Sequence, residues 1–275
     1  MSFVDWGRFI KMDKEKFELE VGNKTLKVRL TDWAAQASGS CLVSYGETEV
    51  LATAVMSEKQ GEQDFFPLMV EYEEKFYAAG KIYGSRFLKR ESRPTDEAIL
   101  TSRMIDRAIR PLFPRDFKKE VQVIATCLSW DAENDPDNTA MIAASLALGI
   151  SNIPWLGPIA TVRVGKTNSG FILNPVYKEK ESGEMDLTLS AIEKNGKILI
   201  NMIEMGAKEV KEEIILKAIE FAEPWLKKLI NFQKEIINKV GNEKVSFNPA
   251  FEKIIENDLK EFLGDKLEKA ITNAD

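Results

Sequence analysis

An α+β fold is predicted from three features of the 275-residue sequence. Strand-like segments joined by tight turns fill residues 17–72. A run of small apolar residues, Thr139 to Leu148, has the character of a helix packed closely on a sheet. From Gly206 onward the apolar spacing becomes that of amphipathic helices.

Each element follows from local pattern. Phe17, Leu19 and Val21 alternate with charged residues, Gly22 and Asn23 turn the chain, and Leu26, Val28 and Leu30 alternate again. This is a hairpin with one wet face. Ser40–Tyr45 and Glu49–Met56 form a second hairpin about Gly46 and Glu47, the second strand apolar enough for the middle of a sheet. Ser57–Asp64 reads as a polar loop and Pro67–Tyr72 as a returning strand. Thr95 can cap a helix with Asp96 and Glu97 in its first turn, where carboxylates suit the helix dipole. Its apolar face is Ile99, Leu100, Met104, Ile105, Ala108 and Leu112, and Pro111–Pro114 ends it. Val121–Trp130 is a long strand. Strands resume at Ile159–Val164, Phe171–Leu173, Met185–Ile192 and Lys197–Ile203, and Asn195-Gly196 is a strong hairpin signal between the last two. Val210, Ile214, Ile215, Ala218 and Phe221 make a helix, Pro224 and Trp225 start another that runs to about Val240, and Gly241 breaks it. Residues 249–275 are again helical, and the run stops without a cap or a final strand, so an incomplete all-α segment is expected. The division is one domain over residues 13–241 and the start of an all-α domain over 242–275.

Composition narrows the chemistry. Hydrophobic content of 44% and charged content of 30% are those of a globular chain that buries a core. No apolar run approaches the ~18 residues needed to span a bilayer, and the first residues carry no basic-then-apolar signal pattern. Cys41 and Cys127, both in apolar strands, read as buried free thiols of a reducing compartment, the cytoplasm. The absence of histidine excludes every mechanism that needs a histidine base, nucleophile or ligand.

The most distinctive stretch is Gly84–Pro94. It sets Arg86, Lys89, Arg90 and Arg93 around Phe87 and Leu88 in a chain of net charge −6. Guanidinium groups grip phosphates and an aromatic ring offers a stacking face, so single-stranded polyanion is the natural ligand; a solvated loop with Phe87 and Leu88 tucked inward is the plain alternative. Arg103, Arg107 and Arg110 share one face of the following helix. Asp106 can pair with Arg110 four residues on, while Arg103 and Arg107 lie nearer the basic stretch. Asp131, Glu133, Asp135 and Asp137 fall at alternate positions, as in a calcium loop. Pro136 and Ile142 stand where such a loop needs Gly and Glu, so a solvated loop, or one facing a neighbouring subunit, is expected.

The order of segments resembles the N-terminal part of the bacterial polynucleotide phosphorylase family. The match is carried by Gly61–Leu68, Tyr77–Ile82, Gly84–Pro94, Ile105–Pro114, Glu120–Thr126, Ala140–Leu148 and Gly157–Ile159, and spans roughly residues 15–205. The resemblance implies a ribonuclease PH-like domain followed by the opening of an all-α domain. It also implies a homotrimeric ring with single-stranded RNA in its channel, other RNA-degradation partners, inorganic phosphate as co-substrate and Mg2+ as cofactor. It places Phe87, Leu88, Lys89, Arg90 and Arg93 at the channel constriction; Arg86 in the same stretch, and Arg103 and Arg107 on the helix beside it, are secondary candidates by position. It puts the catalytic and metal-binding residues in a second ring domain: Asp135 and Asp137 stand where that domain has serines, Asp186 matches an aspartate, Thr188 replaces a lysine, and Lys180 stands near the place of another aspartate. Catalytic residues and metal ligands are therefore not expected in this chain. Its implied role is to guide RNA; a stand-alone, non-catalytic ring or scaffold subunit is the alternative.

Overall fold

The computed structural model describes residues 15–61, 64–82, 93–168, 170–247 and 253–272. The first layer is a six-stranded sheet of β1 (Glu15–Val21), β2 (Lys24–Leu30), β3 (Gly39–Tyr45), β4 (Thr48–Gln60), β5 (Leu68–Glu74) and β6 (Lys119–Ser129). Its order is β1-β2-β3-β4-β6-β5. Neighbours are antiparallel except β5 and β6, which run parallel with Leu68 opposite Val121 and Glu74 opposite Cys127. The parallel pair needs a crossover, and α1 (Asp96–Ile109) supplies it by packing on β5. A second sheet is ordered β10-β9-β7-β8 and comprises β7 (Ala160–Thr167), β8 (Gly170–Leu173), β9 (Met185–Lys194) and β10 (Lys197–Ala207). A short α3 (Tyr177–Ser182) precedes β9, and α4 (Glu212–Val240), α5 (Lys253–Leu263) and α6 (Lys266–Thr272) complete the chain.

Between the layers lies α2 (Pro136–Ile150), whose residues from Asp137 to Ile150 are all buried. A helix apolar on every side is stable only when covered on every side. Here β3, β4 and β6 cover one side, and β7 and α4 the other. Small residues let the layers close. A Cβ at Gly39 of β3 would stand 2.2 Å from the Ala147 carbonyl oxygen, and Cys41 Sγ lies 3.3 Å from the Ala143 oxygen. Both cysteines are free and buried.

Four expectations change. β4 continues through Gln60, which pairs with Lys119, so Ser57–Gln60 is strand rather than loop. On α1 the buried face is Ala98, Met104, Ile105, Ala108 and Ile109, while Leu100 is 68% exposed. α2 begins at Pro136 rather than Thr139, because Asp135 caps it and proline suits the first turn. Finally, Pro224 lies inside α4 instead of starting a helix. It sits on the wet face, where water can serve the carbonyl that proline leaves unpaired, and Ala218, Ala222, Leu226, Leu229 and Ile230 carry the buried stripe past it.

After Gly241 the chain doubles back over the end of α2. Asn242 N donates to Ile150 O (2.9 Å) and Val245 N to Asn152 O (2.8 Å). Lys244 Nζ donates to the carbonyls of Leu148, Gly149 and Ser151 at 2.7–2.9 Å. A cation here meets the negative end of the helix dipole and its unpaired carbonyls at once. Lys244→Met is expected to lower unfolding free energy by about 1–3 kcal/mol, measured by urea denaturation. Faster hydrogen exchange at Asn242 and Val245 should accompany it; an unchanged midpoint would reject this clamp.

Candidate nucleic-acid interface and the ion cluster beside it

Several chain ends converge at one end of the first sheet. β5 and β6 are parallel, so their C-terminal ends lie side by side. From β5 the chain enters a 3-10 turn, Phe76–Ala79, and Trp130 N, just past β6, donates to Ala78 O (3.0 Å). The start of α1 is tied to the same place: Thr95 Oγ1 donates to Glu74 Oε2 (2.8 Å) while accepting from Ala98 N (3.0 Å). The N-terminus of α2 follows Trp130 by a short loop, and α3 joins that loop through Tyr177 N to Glu133 O (3.2 Å).

Of the candidate RNA contacts, Arg86, Phe87, Leu88, Lys89 and Arg90 lie outside the described residues. Arg93 is exposed two residues before the cap of α1, and Arg103 is exposed on the same helix. Arg107 is a strut: Nη1 pairs with Glu204 Oε2 (2.5 Å) and Nη2 donates to Ile203 O (3.1 Å), joining α1 to β10. Arg110 makes the expected pair with Asp106 and also donates to Leu68 O (3.1 Å).

The acidic loop is solvated only in part: Glu133 is exposed, while Asp131, Asp135 and Asp137 are tied into the protein. Asp131 Oδ1 accepts from the backbone of Glu133 (2.9 Å) and Asn134 (2.7 Å), and Oδ2 from Glu47 N (3.2 Å), which holds the β3–β4 turn against the loop. Asp135 and Asp137 turn inward to Arg163 of β7. Arg163 is 8% exposed and binds three carboxylates. Nη1 pairs with Asp135, Nη2 with Asp137 Oδ2 (2.7 Å), and Nε lies 3.2 Å from Asp186 Oδ1 and 3.0 Å from Thr188 Oγ1. Lys180 of α3 adds a second cation, 2.6 Å from Asp135 and 3.5 Å from Asp186. Three carboxylates thus face two cations.

The electrostatics divide the aspartates. Burial pushes Asp135 upward, but Arg163 and Lys180 together hold it below the usual carboxylate range. Burial lifts Asp137 to about 6; Arg163 opposes this and the neighbouring Asp135 adds to it. Burial disfavours the Arg163 charge, and Asp137, Asp135 and Asp186 overcome it, so the guanidinium titrates higher than usual. The donor set does not suit Mg2+. The carboxylates are directed at a guanidinium and an ammonium, and no described group of three acidic or cysteine side chains is arranged to hold a metal ion.

Sequence reading brought Asp135, Asp137, Lys180 and Asp186 to notice separately and missed the residue that unites them. Arg163 has a signal: it is the one charged residue in the otherwise uncharged run Ile159–Gly165. A lone arginine in a buried strand needs a buried partner. Trp130 and Tyr177 were also missed; their rings meet edge-on at 6.0 Å, and Lys180 Nζ lies 5.4 Å from the Tyr177 ring.

The fold and its inward-facing ion cluster define a two-layer α+β unit of the ribonuclease PH-like class. Sequence comparison gives the family. The model described as 3′ exoribonuclease family, domain 1, matches residues 23–154, and that of domain 2 matches 157–223. The chain belongs to this family. The polyribonucleotide nucleotidyltransferase of Exiguobacterium sibiricum is 49% identical over 248 residues, covering 90% of this chain and 33% of the relative. That of Staphylococcus saprophyticus is 46% identical over 240 residues, covering 87% and 34%. The chain therefore spans about a third of the length of these relatives. The crystal structure of rice (Oryza sativa) Rrp46 shares the fold, with a TM-score of 0.63 at 13% identity over 82% of this chain and 95% of that one.

Removing Arg163 should leave three carboxylates with Lys180 as their one remaining cation. Arg163→Met is expected to cost about 3–5 kcal/mol, read by chemical denaturation. Asp137 gives a separate pH signature. Its folded value of about 6 lies above the unfolded one, so between about pH 4 and 6 the native state holds a proton that the unfolded chain has lost. Its contribution therefore falls as pH rises through that window. Asp137→Asn should flatten that part of the stability–pH curve, and a variant curve that keeps the full decline would show that another group causes it.

Proposed function

We propose that this chain is the RNA-guiding part of a phosphorolytic 3′→5′ exoribonuclease and is inactive alone. The whole assembly would release nucleoside diphosphates with inorganic phosphate as co-substrate, as a homotrimeric ring in the cytoplasm, working with other RNA-degradation partners. Mg2+ would serve a second ring domain rather than residues of this chain. We assign residues 13–241 to the ring domain and 242–275 to the opening of an all-α domain. The observation that carries the reading is the contrast at the convergent end. The carboxylates face two internal cations, while Arg93, fixed near Glu74 by the Thr95 cap, faces solvent. Phosphate finds no free cation in the cluster, and RNA finds one at the rim. Phe87, Leu88, Lys89 and Arg90 join Arg93 in this assignment on their sequence alone, with Arg86 and Arg103 as secondary contacts. Arg107 contributes by bracing α1. The same saturated cluster suits a second reading, a stand-alone scaffold subunit that binds RNA and cuts nothing.

Fluorescence anisotropy with single-stranded RNA tests the guiding role. Arg93→Ala is expected to weaken binding and to lower the slope of log K against log salt by about 1. Affinity and slope equal to wild type would reject it. In parallel, the chain mixed with RNA, phosphate and Mg2+ should release no nucleoside diphosphate; release would overturn the non-catalytic assignment.

A further inference from the structure

The Phe76–Ala79 turn carries two large aromatic side chains, and none of its residues is buried. Phe76 is 38% and Tyr77 56% exposed, and Ile82 just beyond is 82% exposed. Exposed Tyr77 and Ile82 so close together are apolar surface that a partner can cover. The backbone beneath them is closely held. Ala78 N donates to Lys75 O (2.9 Å), Gly80 N to Tyr77 O (3.0 Å) and Lys81 N to Phe76 O (3.0 Å), while Ala78 O takes the Trp130 amide. Gly80 closes the turn at φ 65°, a left-handed conformation that a side chain would oppose. A ring mounted on such a turn loses little freedom when something stacks on it.

Its surroundings select the partner. Exposed Lys81 follows the turn. Exposed Arg93 is brought to the same strand end by the Thr95–Glu74 hydrogen bond, three residues before Tyr77. An exposed aromatic ring on a strand end that also carries exposed Lys81 and Arg93 fits a chain that alternates flat bases with phosphates. From this juxtaposition we infer that Tyr77 is a base-stacking contact for single-stranded RNA, lying before the guanidinium of Arg93 on the same rim. The inference rests on the RNA-guiding reading and adds a contact of different chemistry. Stacking tolerates any base and involves no phosphate, so Tyr77 should govern affinity without altering salt dependence.

The test is anisotropy of labelled single-stranded oligoadenylate with the full 275-residue chain across a salt series, beside sedimentation of each variant. Tyr77→Ala and Tyr77→Leu are expected to bind roughly 5- to 150-fold more weakly with an unchanged salt slope. Tyr77→Phe, which keeps the ring, should bind as wild type. The leucine variant keeps apolar bulk, so its loss of binding separates stacking from packing. Wild-type affinity in Tyr77→Ala and Tyr77→Leu, with weakened Arg93→Ala, would overturn this inference and leave the guiding reading standing. Wild-type affinity in all of them, Arg93→Ala included, would overturn both. A changed sedimentation coefficient with retained RNA affinity would assign Tyr77 to a protein–protein contact and overturn the inference.

Discussion

Arg163 presents five N–H donors in one plane, and the fold surrounds that plane with acceptors from two elements. Asp135 caps α2, Asp137 lies in its first turn, and Asp186 and Thr188 come from β9. A buried guanidinium is tolerable only when its donors are filled, and buried carboxylates only when a cation answers them. Each condition satisfies the other, so the start of α2, the middle of β7 and the beginning of β9 are fixed relative to one another. Lys180 extends the network to α3. The helix dipole adds to it, since two carboxylates sit at the positive end of a helix that carries no other charge.

The same arrangement limits the chemistry. A phosphate-binding pocket needs cations or amides left unsatisfied until the ligand arrives, and a metal site needs carboxylates left unsatisfied until the ion arrives. Here cation and carboxylate already satisfy each other. Membership of an exoribonuclease family and the geometry of this site therefore point in different directions. The proposed division of chemistry and substrate guidance between parts of a longer protein would reconcile them; the chain spans about a third of the length of its relatives.

Much of the fold was legible in sequence because its signals are local. The hairpins at Gly22-Asn23 and Asn195-Gly196 follow from residues that accept positive φ: 64° at Gly22, and 54° and 76° at Asn195 and Gly196. The Thr95 cap was equally plain. What escaped depends on contacts distant in the chain. Pro224 looked like a helix start because its cost depends on which face it occupies, and periodicity alone did not reveal that α4 turns it to solvent. Asp135 and Asp137 looked wet because carboxylates usually are; the partner that draws them inside lies 26 residues beyond Asp137 on another strand. Leu100 looked buried because its spacing fits a helix face, yet the face that packs inward is the one carrying Ala98, Met104, Ile105, Ala108 and Ile109.

Internal neutralisation also bears on how a polyanion meets this end of the molecule. Left unpaired, Asp135, Asp137 and Asp186 would place three negative charges close to the rim that carries Lys81 and Arg93. With Arg163 and Lys180 in place the group carries a net charge of one, and protonation of Asp137, whose titration lies near 6, removes that as well. The exposed cations Lys81 and Arg93 then share that end with the exposed carboxylates Glu74, Asp96 and Glu97, without a further buried cluster of unpaired negative charge behind them. A residue buried in β7 thus acts beyond its own position, by cancelling most of the buried negative charge at this end of the molecule.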